Sequence, residues 1–176
     1  MSTTALISII GPDRVGLVSA ITGRLFDLGA DLGDTTFAVL GGGAEFTAIC
    51  EFSAGMELQT LQAELEALPE SADAQIKVSH FDLTTTHPAS ETITHTITVS
   101  GGDSPGLMAR LCEVFQQFNA NIVRMNSERV PGNTQDQYVI SAAVAIPEDS
   151  AQSCLATISN TAGELGLNCS WDKVAS

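Results

Sequence analysis

The chain repeats itself. Residues 7–17 (ISIIGPDRVGL) align with residues 97–107 (ITVSGGDSPGL) at a constant offset of 90, and the alignment runs ungapped to Thr36 and Asn126. Identities fall at Ile7/Ile97, Gly11/Gly101, Asp13/Asp103, Gly16/Gly106, Leu17/Leu107 and Ala30/Ala120, concentrated where backbone geometry is demanding. Further on the offset grows by two, pairing residues 46–49 (FTAI) with 138–141 (YVIS), as a longer loop in the second copy would require. A period of this size marks two similar folding units. A length of 176 residues suits one ordinary domain or two small ones, and the repeat selects two. The expected division is a first domain at 1–84, a linker at 85–92 and a second domain at 93–176. Around that junction the stretch TTTHPAS (84–90) is polar, holds a proline and has no period.

Periodicity sets the element order inside each copy. Ile7 and Ile9, like Ile97 and Val99, alternate as a strand does. Leu17, Ile21, Leu25 and Leu28, matched by Leu107, Leu111, Phe115 and Phe118, line one side of a helix. Gly29 and Asn119 stop these helices, since both residue types tolerate the left-handed conformation. A strand over about residues 32–40 turns at Gly41, Gly42 and Gly43 into another at 45–52, and the second copy turns at Pro131, Gly132 and Asn133. Leu58, Leu61, Leu65 and Leu68 predict a second helix, and residues 76–83 a closing strand. The order is βαββαβ, which predicts an α+β fold: two ferredoxin-like units in tandem, each an antiparallel four-stranded sheet with two helices on one face. The uncovered face carries Leu6, Ser8 and Ile10 in the first copy and Thr96, Thr98 and Ser100 in the second. Protecting such sheet edges calls for an intramolecular partner or an oligomer, so a homodimer is among the expectations.

Charge and composition exclude several function classes. Seven Lys+Arg against 21 Asp+Glu give a net charge of −14, and the most basic neighbourhood holds only Arg124 and Arg129 beside Glu128. A nucleic-acid backbone would be repelled, so no direct nucleic-acid partner is expected. Nor does the sequence contain the aromatic strands of an RNA-binding module. No segment approaches a membrane span or a secretory signal, and Cys50, Cys112, Cys154 and Cys169 are scattered without a CxxC. These features predict a cytoplasmic protein without membrane partners, its cysteines acting as small core residues.

Catalytic patterns fail on inspection. Residues 102–106 (GDSPG) fit G-x-S-x-G between a predicted strand and helix. The histidines His80, His87 and His95 all precede Ser104, however, and Pro105 lacks the N–H that an oxyanion hole needs after the nucleophile. Those histidines also lack metal-ligand spacing. Asp13, Asp103 and Asp31 belong to no acid–base arrangement, and the triple glycine opens no helix to cradle a phosphate. The expectation is therefore a protein that is not an enzyme, with no cofactor and no metal.

What remains is the repeated Gly-x-Asp-x-x-Gly-Leu loop joining strand to helix. Its structural reading makes Asp13 and Asp103 helix caps and the glycines turn and packing residues. A functional reading adds that backbone at a helix start receives a small molecule's carboxylate, while a side-chain oxygen accepts from its ammonium.

These loops, GPDRVGL followed by GADLGD and GGDSPGL followed by NANIVR, resemble the signature of ACT domains, small ferredoxin-like modules that bind amino acids. The resemblance covers nearly the whole chain. Among two-ACT proteins the opening GPDRVGLVSAITGRLFDLGADLGD, with a hairpin ending EFTAICEF, is similar to the glycine cleavage system transcriptional repressor group. The resemblance implies a ligand held between the strand–helix loop of one domain and the start of the second strand of its partner. That places Gly11, Asp13 and Gly16 with Asn121 and Ile122, and Gly101, Asp103 and Gly106 with Asp31 and Leu32. Asn121 fits the pattern, whereas Asp31 departs from it, because a carboxylate there repels the ligand's own. The implied function is sensing of a small amino acid, glycine or serine, with an effect exerted on a protein partner such as a transcription regulator. The alternative is a regulatory subunit of a separately encoded amino-acid enzyme.

Overall fold

The computed structural model describes residues 3–53, 55–88, 91–102, 105–131 and 136–174. The chain divides into two compact units, Met1–Thr85 and Thr86–Ser176. In the first, β1 (Thr3–Pro12), α1 (Leu17–Asp27), β2 (Asp31–Leu40), β3 (Gly43–Phe52), α2 (Leu58–Glu66) and β4 (Gln75–His80) follow one another, with a 3-10 turn at Pro69–Ser71 before the last strand. In the second the sequence is β5 (His95–Gly101), α3 (Leu107–Gln117), β6 (Asn121–Val130), β7 (Gln137–Ala145), α4 (Ala151–Glu164) and β8 (Asn168–Lys173). The sheets run β2-β3-β1-β4 and β6-β7-β5-β8, with every neighbouring pair antiparallel. The expected βαββαβ plan is present twice.

Alternation along β1 sends Ala5, Ile7 and Ile9 into the core of the first unit, where they meet Phe46, Ala48 and Cys50 of β3. The helical stripe Leu17, Ile21 and Leu25 covers them from one side and Leu61 and Leu65 from the other. Each such side chain contributes about 1.5–3 kcal/mol by leaving water. The second unit repeats the scheme with Ile97, Val99, Leu107, Leu111, Phe115 and Ile140, to which α3 adds Val114. Across α1 and α2, Arg24 pairs with Glu64 at 2.9 Å. Both side chains are more than a third exposed, so the pair stabilises only weakly. Helix ends follow the sequence: Gly29 (φ 75°) and Asn119 (φ 52°) take up the left-handed conformation just past α1 and α3. The two faces of β1 and β5 also separate as expected, with Ile10 half-exposed and Ser8, Thr96 and Thr98 outside the core.

Three expectations need correction. The closing strand of the first unit ends at His80 rather than residue 83: its last ladder pair with β1 is Ala5 with His80, and past it the Phe81 N–H reaches the Thr4 carbonyl at 3.0 Å as the chain leaves the sheet. Leu83 lies beyond, largely exposed. Leu68 is buried but stands past the end of α2. The third correction concerns the repeat. Ile9 pairs with Phe46, while its counterpart Val99 pairs with Ile140, so the third strands correspond at an offset of 94 and not 92. A two-residue slip preserves which side chains face the core, so alternation alone could not detect it. The extra residues sit in the hairpin: Leu40 pairs with Gly43 across residues 41–42, but Val130 with Gln137 across residues 131–136. Gly132 and Asn133, expected at that turn, lie outside the described residues.

Candidate functional site

The strand–helix loop of the first unit closes as a tight turn. The Leu17 N–H donates to the Arg14 carbonyl at 3.2 Å, with Gly16 at φ 91°, ψ −8°. In the second unit Gly106 adopts φ 80°, ψ 2° at the matching point. These angles suit glycine, because a Cβ crowds the neighbouring carbonyl in the left-handed region. Each of these glycines is the residue that starts its helix: the Ala20 N–H donates to Gly16 at 2.8 Å and the Arg110 N–H to Gly106 at 3.0 Å. Among the described residues, no side chain caps either helix.

The cap expected of Asp13 is therefore absent. A capping side chain must come from the residue immediately before the helix, and Asp13 stands three residues too early on an exposed stretch. The amides of Val18 and Ser19, and of Met108 and Ala109, fall in the first helical turn, where backbone N–H groups have no intrahelical acceptor. Asp103 lies outside the described residues, as does Ser104. Gly11 and Gly101 play a different part. A Cβ on Gly11 would come within 2.6–2.8 Å of the Ala74 Cβ and Cα, and one on Gly101 would meet Leu167. Both loops thus rest directly on the connection leading to the last strand of their own unit.

The other implied residues lie far from the loop of their own unit. Gly11 pairs with Ala44 and Asp31 with Glu51, at opposite ends of β3. Seven residues of strand separate them, or about 23 Å. Gly101 opposite Tyr138 and Asn121 opposite Ala145 repeat the arrangement along β7. Immediately after Leu32 and after Ile122 the register breaks in a bulge, between Leu32 and Thr35 and between Ile122 and Arg124. Bulges re-aim side chains, and both occur beside the residues singled out from sequence.

Each strand start opens on a cleft. The first, of about 280 Å³, is lined by Asp31, Gly33, Asp34, Ile49 and Glu51 among others. The second, of about 190 Å³, is lined by Thr92, Thr94, Asn119, Asn121, Ala145 and Ile146 with Pro147. The corrected register makes the contrast direct. Asp31 opposite Glu51 corresponds to Asn121 opposite Ala145, so a directly opposed carboxylate pair in one unit is neutral in the other. Like charges across a ladder repel each other, and they repel an incoming carboxylate. Glu51 was not singled out from the sequence and Asn119 only as a helix stop, because their places at these clefts depend on strand pairing and on packing at the helix end.

Burial shifts the titration of three cysteines and one histidine. Burial pushes the Cys50 and Cys154 thiols up to about 11 and raises that of Cys169, so these cysteines are protonated at neutral pH. Cys50 and Cys154 are core residues, while Cys112 and Cys169 are half-buried. His95, only 7% exposed, shares a 2.9 Å hydrogen bond between its Nδ1 and the Thr94 hydroxyl. Burial, then the positive charge of Lys173, lowers its pKa below the ordinary 6.5. The unfolded chain therefore binds the proton more readily, and His95 contributes stability that is full above pH 6.5 and lost as pH falls towards its folded value. A histidine ring titration by NMR is expected to give His95 a midpoint below 6.5; a midpoint at or above that value would contradict its burial as a neutral ring.

Among the described residues no cluster of three His, Cys, Asp or Glu side chains is arranged to hold a metal ion, and no helix is long and apolar enough to cross a membrane. A profile of the ACT domain matches residues 3–79 and again residues 94–171. The chain belongs to the ACT domain family. Each unit is one ACT domain, with its loop between the first strand and first helix. Over its whole length the tandem is similar to a crystal structure of an unknown protein from Galdieria sulphuraria, 25% identical, covering 99% of this chain and 100% of that one with a TM-score of 0.77. It shares its fold with a crystal structure provisionally assigned as a glycine cleavage system transcriptional repressor, at a TM-score of 0.69 and 14% identity over 100% of this chain and 99% of that one. The UPF0237 protein SMU_72 of Streptococcus mutans serotype c is 27% identical over 74 residues, 42% of this chain and 84% of that relative. The resemblance to tandem ACT proteins read from the sequence thus holds, and the likeness to the repressor structure is one of fold.

Proposed function

We propose that this tandem ACT protein is a non-enzymatic regulator that senses a small amino acid, glycine or serine, and acts on a protein partner such as a transcription regulator of glycine or amino-acid metabolism. One observation carries the reading: among the described residues no side chain caps the helix start at which the first Gly-x-Asp-x-x-Gly-Leu loop ends. Asp13 is not occupied in holding α1, so the capping role does not account for it. First-turn amides suit a carboxylate, and an exposed aspartate suits an ammonium. The net charge of −14 favours a protein partner over an operator.

The proposed ligand contacts are Gly11, Asp13 and Gly16 acting with Asn121 and Ile122, and Gly101, Asp103 and Gly106 acting with Asp31 and Leu32. Loop and strand start stand at opposite ends of each sheet, so neither unit brings its own two halves together. Of the two sets, the one with Asn121 is the better ligand site. Its cleft offers amide and hydroxyl groups, whereas Asp31, Asp34 and Glu51 line the other.

A thermal-shift screen against the proteinogenic amino acids tests the reading. A ligand at about 100 times its dissociation constant is expected to add about 2.7 kcal/mol. Flat melting curves throughout would overturn sensing. With a ligand in hand, Asn121→Ala is expected to weaken binding about tenfold, the loss of one hydrogen bond to a charged group, and Asp31→Asn to leave it unchanged or tighter. Unchanged affinity in Asn121→Ala together with its loss in Asp31→Ala would reverse the choice of site.

A further inference from the structure

Arg14 stands inside the first ligand loop, and its guanidinium reaches across to a distant part of the chain. Its Nη2 donates to the Asp73 carboxylate at 3.1 Å and its Nη1 to the Pro69 carbonyl at 3.3 Å. Both partners belong to the connection between α2 and β4, 55 and 59 residues further along the chain. That connection is firm. The Pro69 carbonyl also accepts the Ala72 N–H at 3.2 Å, and the Ser71 carbonyl accepts the Ala74 N–H at 3.0 Å. Asp73 holds a left-handed backbone, φ 65°. Two residues before Asp13, Gly11 lies against Ala74, and two residues after Arg14 comes the Gly16 turn. The loop is therefore fixed at Gly11 by contact and at Arg14 by two donors, with Asp13 between them.

We infer that Arg14 is a positioning residue: it clamps the first loop onto the α2–β4 connection and so holds the Asp13–Gly16 backbone in the conformation that receives the ligand. This rests on the sensing function proposed above. A planar guanidinium offers two separated N–H donors at once, which a lysine ammonium cannot reproduce. Position 14 corresponds to Ser104 in the second copy, whose single hydroxyl cannot form such a two-point clamp. The two loops are thus built differently: the first is held by a charged clamp, sensitive to salt, and the second carries no counterpart to that arginine.

The test uses the full chain and two readouts. Hydrogen exchange at the hydrogen-bonded amides of Leu17 and Ala20, without ligand, is expected to speed up about fivefold in Arg14→Ala, less in Asp73→Asn, which keeps the bond to Pro69, no further in the double variant than in Arg14→Ala, and only partly less in Arg14→Lys. Calorimetric titration with L-serine is expected to show a matching rise in the dissociation constant, about fivefold for Arg14→Ala and smaller for Asp73→Asn, while their melting temperatures stay near that of the unaltered protein. That is the signature of a smaller competent fraction and not of an unstable fold. Unchanged exchange in Arg14→Ala overturns the clamp. Loss of L-serine affinity in Arg14→Ala but not in Asp73→Asn also overturns it, since Arg14 would then touch the ligand itself. If exchange responds but L-serine and the other amino acids fail to bind the unaltered protein, the clamp stands and the sensing reading falls.

Discussion

Phe46→Ala is expected to cost about 3–5 kcal/mol of the stability of the first ACT domain, among the largest effects available in this chain. Phe46 is 1% exposed and sits where β3 meets the apolar stripe of α1. Removing its ring leaves a cavity that Ile7, Ile9 and Leu25, themselves fully buried, cannot collapse to fill. The informative control is its cross-strand partner. Phe37 faces Phe46 across β2 and β3 but is 44% exposed on the outermost strand. Phe37→Ala is expected to cost under about 1 kcal/mol, the scale of one cross-strand pair. Urea unfolding followed by circular dichroism separates the two, and equal losses would contradict the placement of the core.

A second large effect is expected at Gly11. Gly11→Ala puts a methyl within 2.6 Å of the Ala74 Cβ and 2.8 Å of its Cα. The obstacle is backbone, not the end of a flexible side chain, so β1 or the connection must move. Overpacking of this kind costs about 1–3 kcal/mol, and here it also displaces the loop that carries Asp13. Gly42→Ala serves as the control, since a Cβ there meets nothing within 4 Å. Ligand affinity should fall in Gly11→Ala and persist in Gly42→Ala. A Gly11→Ala protein as stable as the unaltered chain would show that the close approach to Ala74 is not obligatory.

The sequence was most legible where one residue's chemistry decides the outcome locally. Alternation at Ile7 and Ile9, the helical stripe from Leu17 to Leu25 and the stops at Gly29 and Asn119 all reappear in the structure. What escaped depends on distance along the chain. Asp13 looked like a cap because aspartate is a capping residue, but where α1 begins is set by the turn that Gly16 completes. The end of β4 is defined by its pairing with β1, whose last ladder pair joins His80 to Ala5, 75 residues earlier. The pairing of Arg14 with Asp73 links residues whose proximity no local pattern encodes. The acidic character of the first cleft needed the register, because Glu51 acquires its meaning only opposite Asp31.

The tip of the first hairpin is also a neighbour of the first ligand loop: the Asp13 N–H points to the Gly42 carbonyl at 3.5 Å. In the second domain the hairpin at the same end of the sheet is four residues longer, as the pairs Leu40–Gly43 and Val130–Gln137 show. An insertion at that point displaces no core residue, because it lies beyond the last ladder pair of both strands. After duplication, such a hairpin is a segment in which one copy can vary while the shared scaffold remains as it was. The loop GPDRVGL thus stands beside a tip of two residues where the second copy has six between its paired strand ends, and lengthening the first tip to six offers a way to change the ligand preference of that loop.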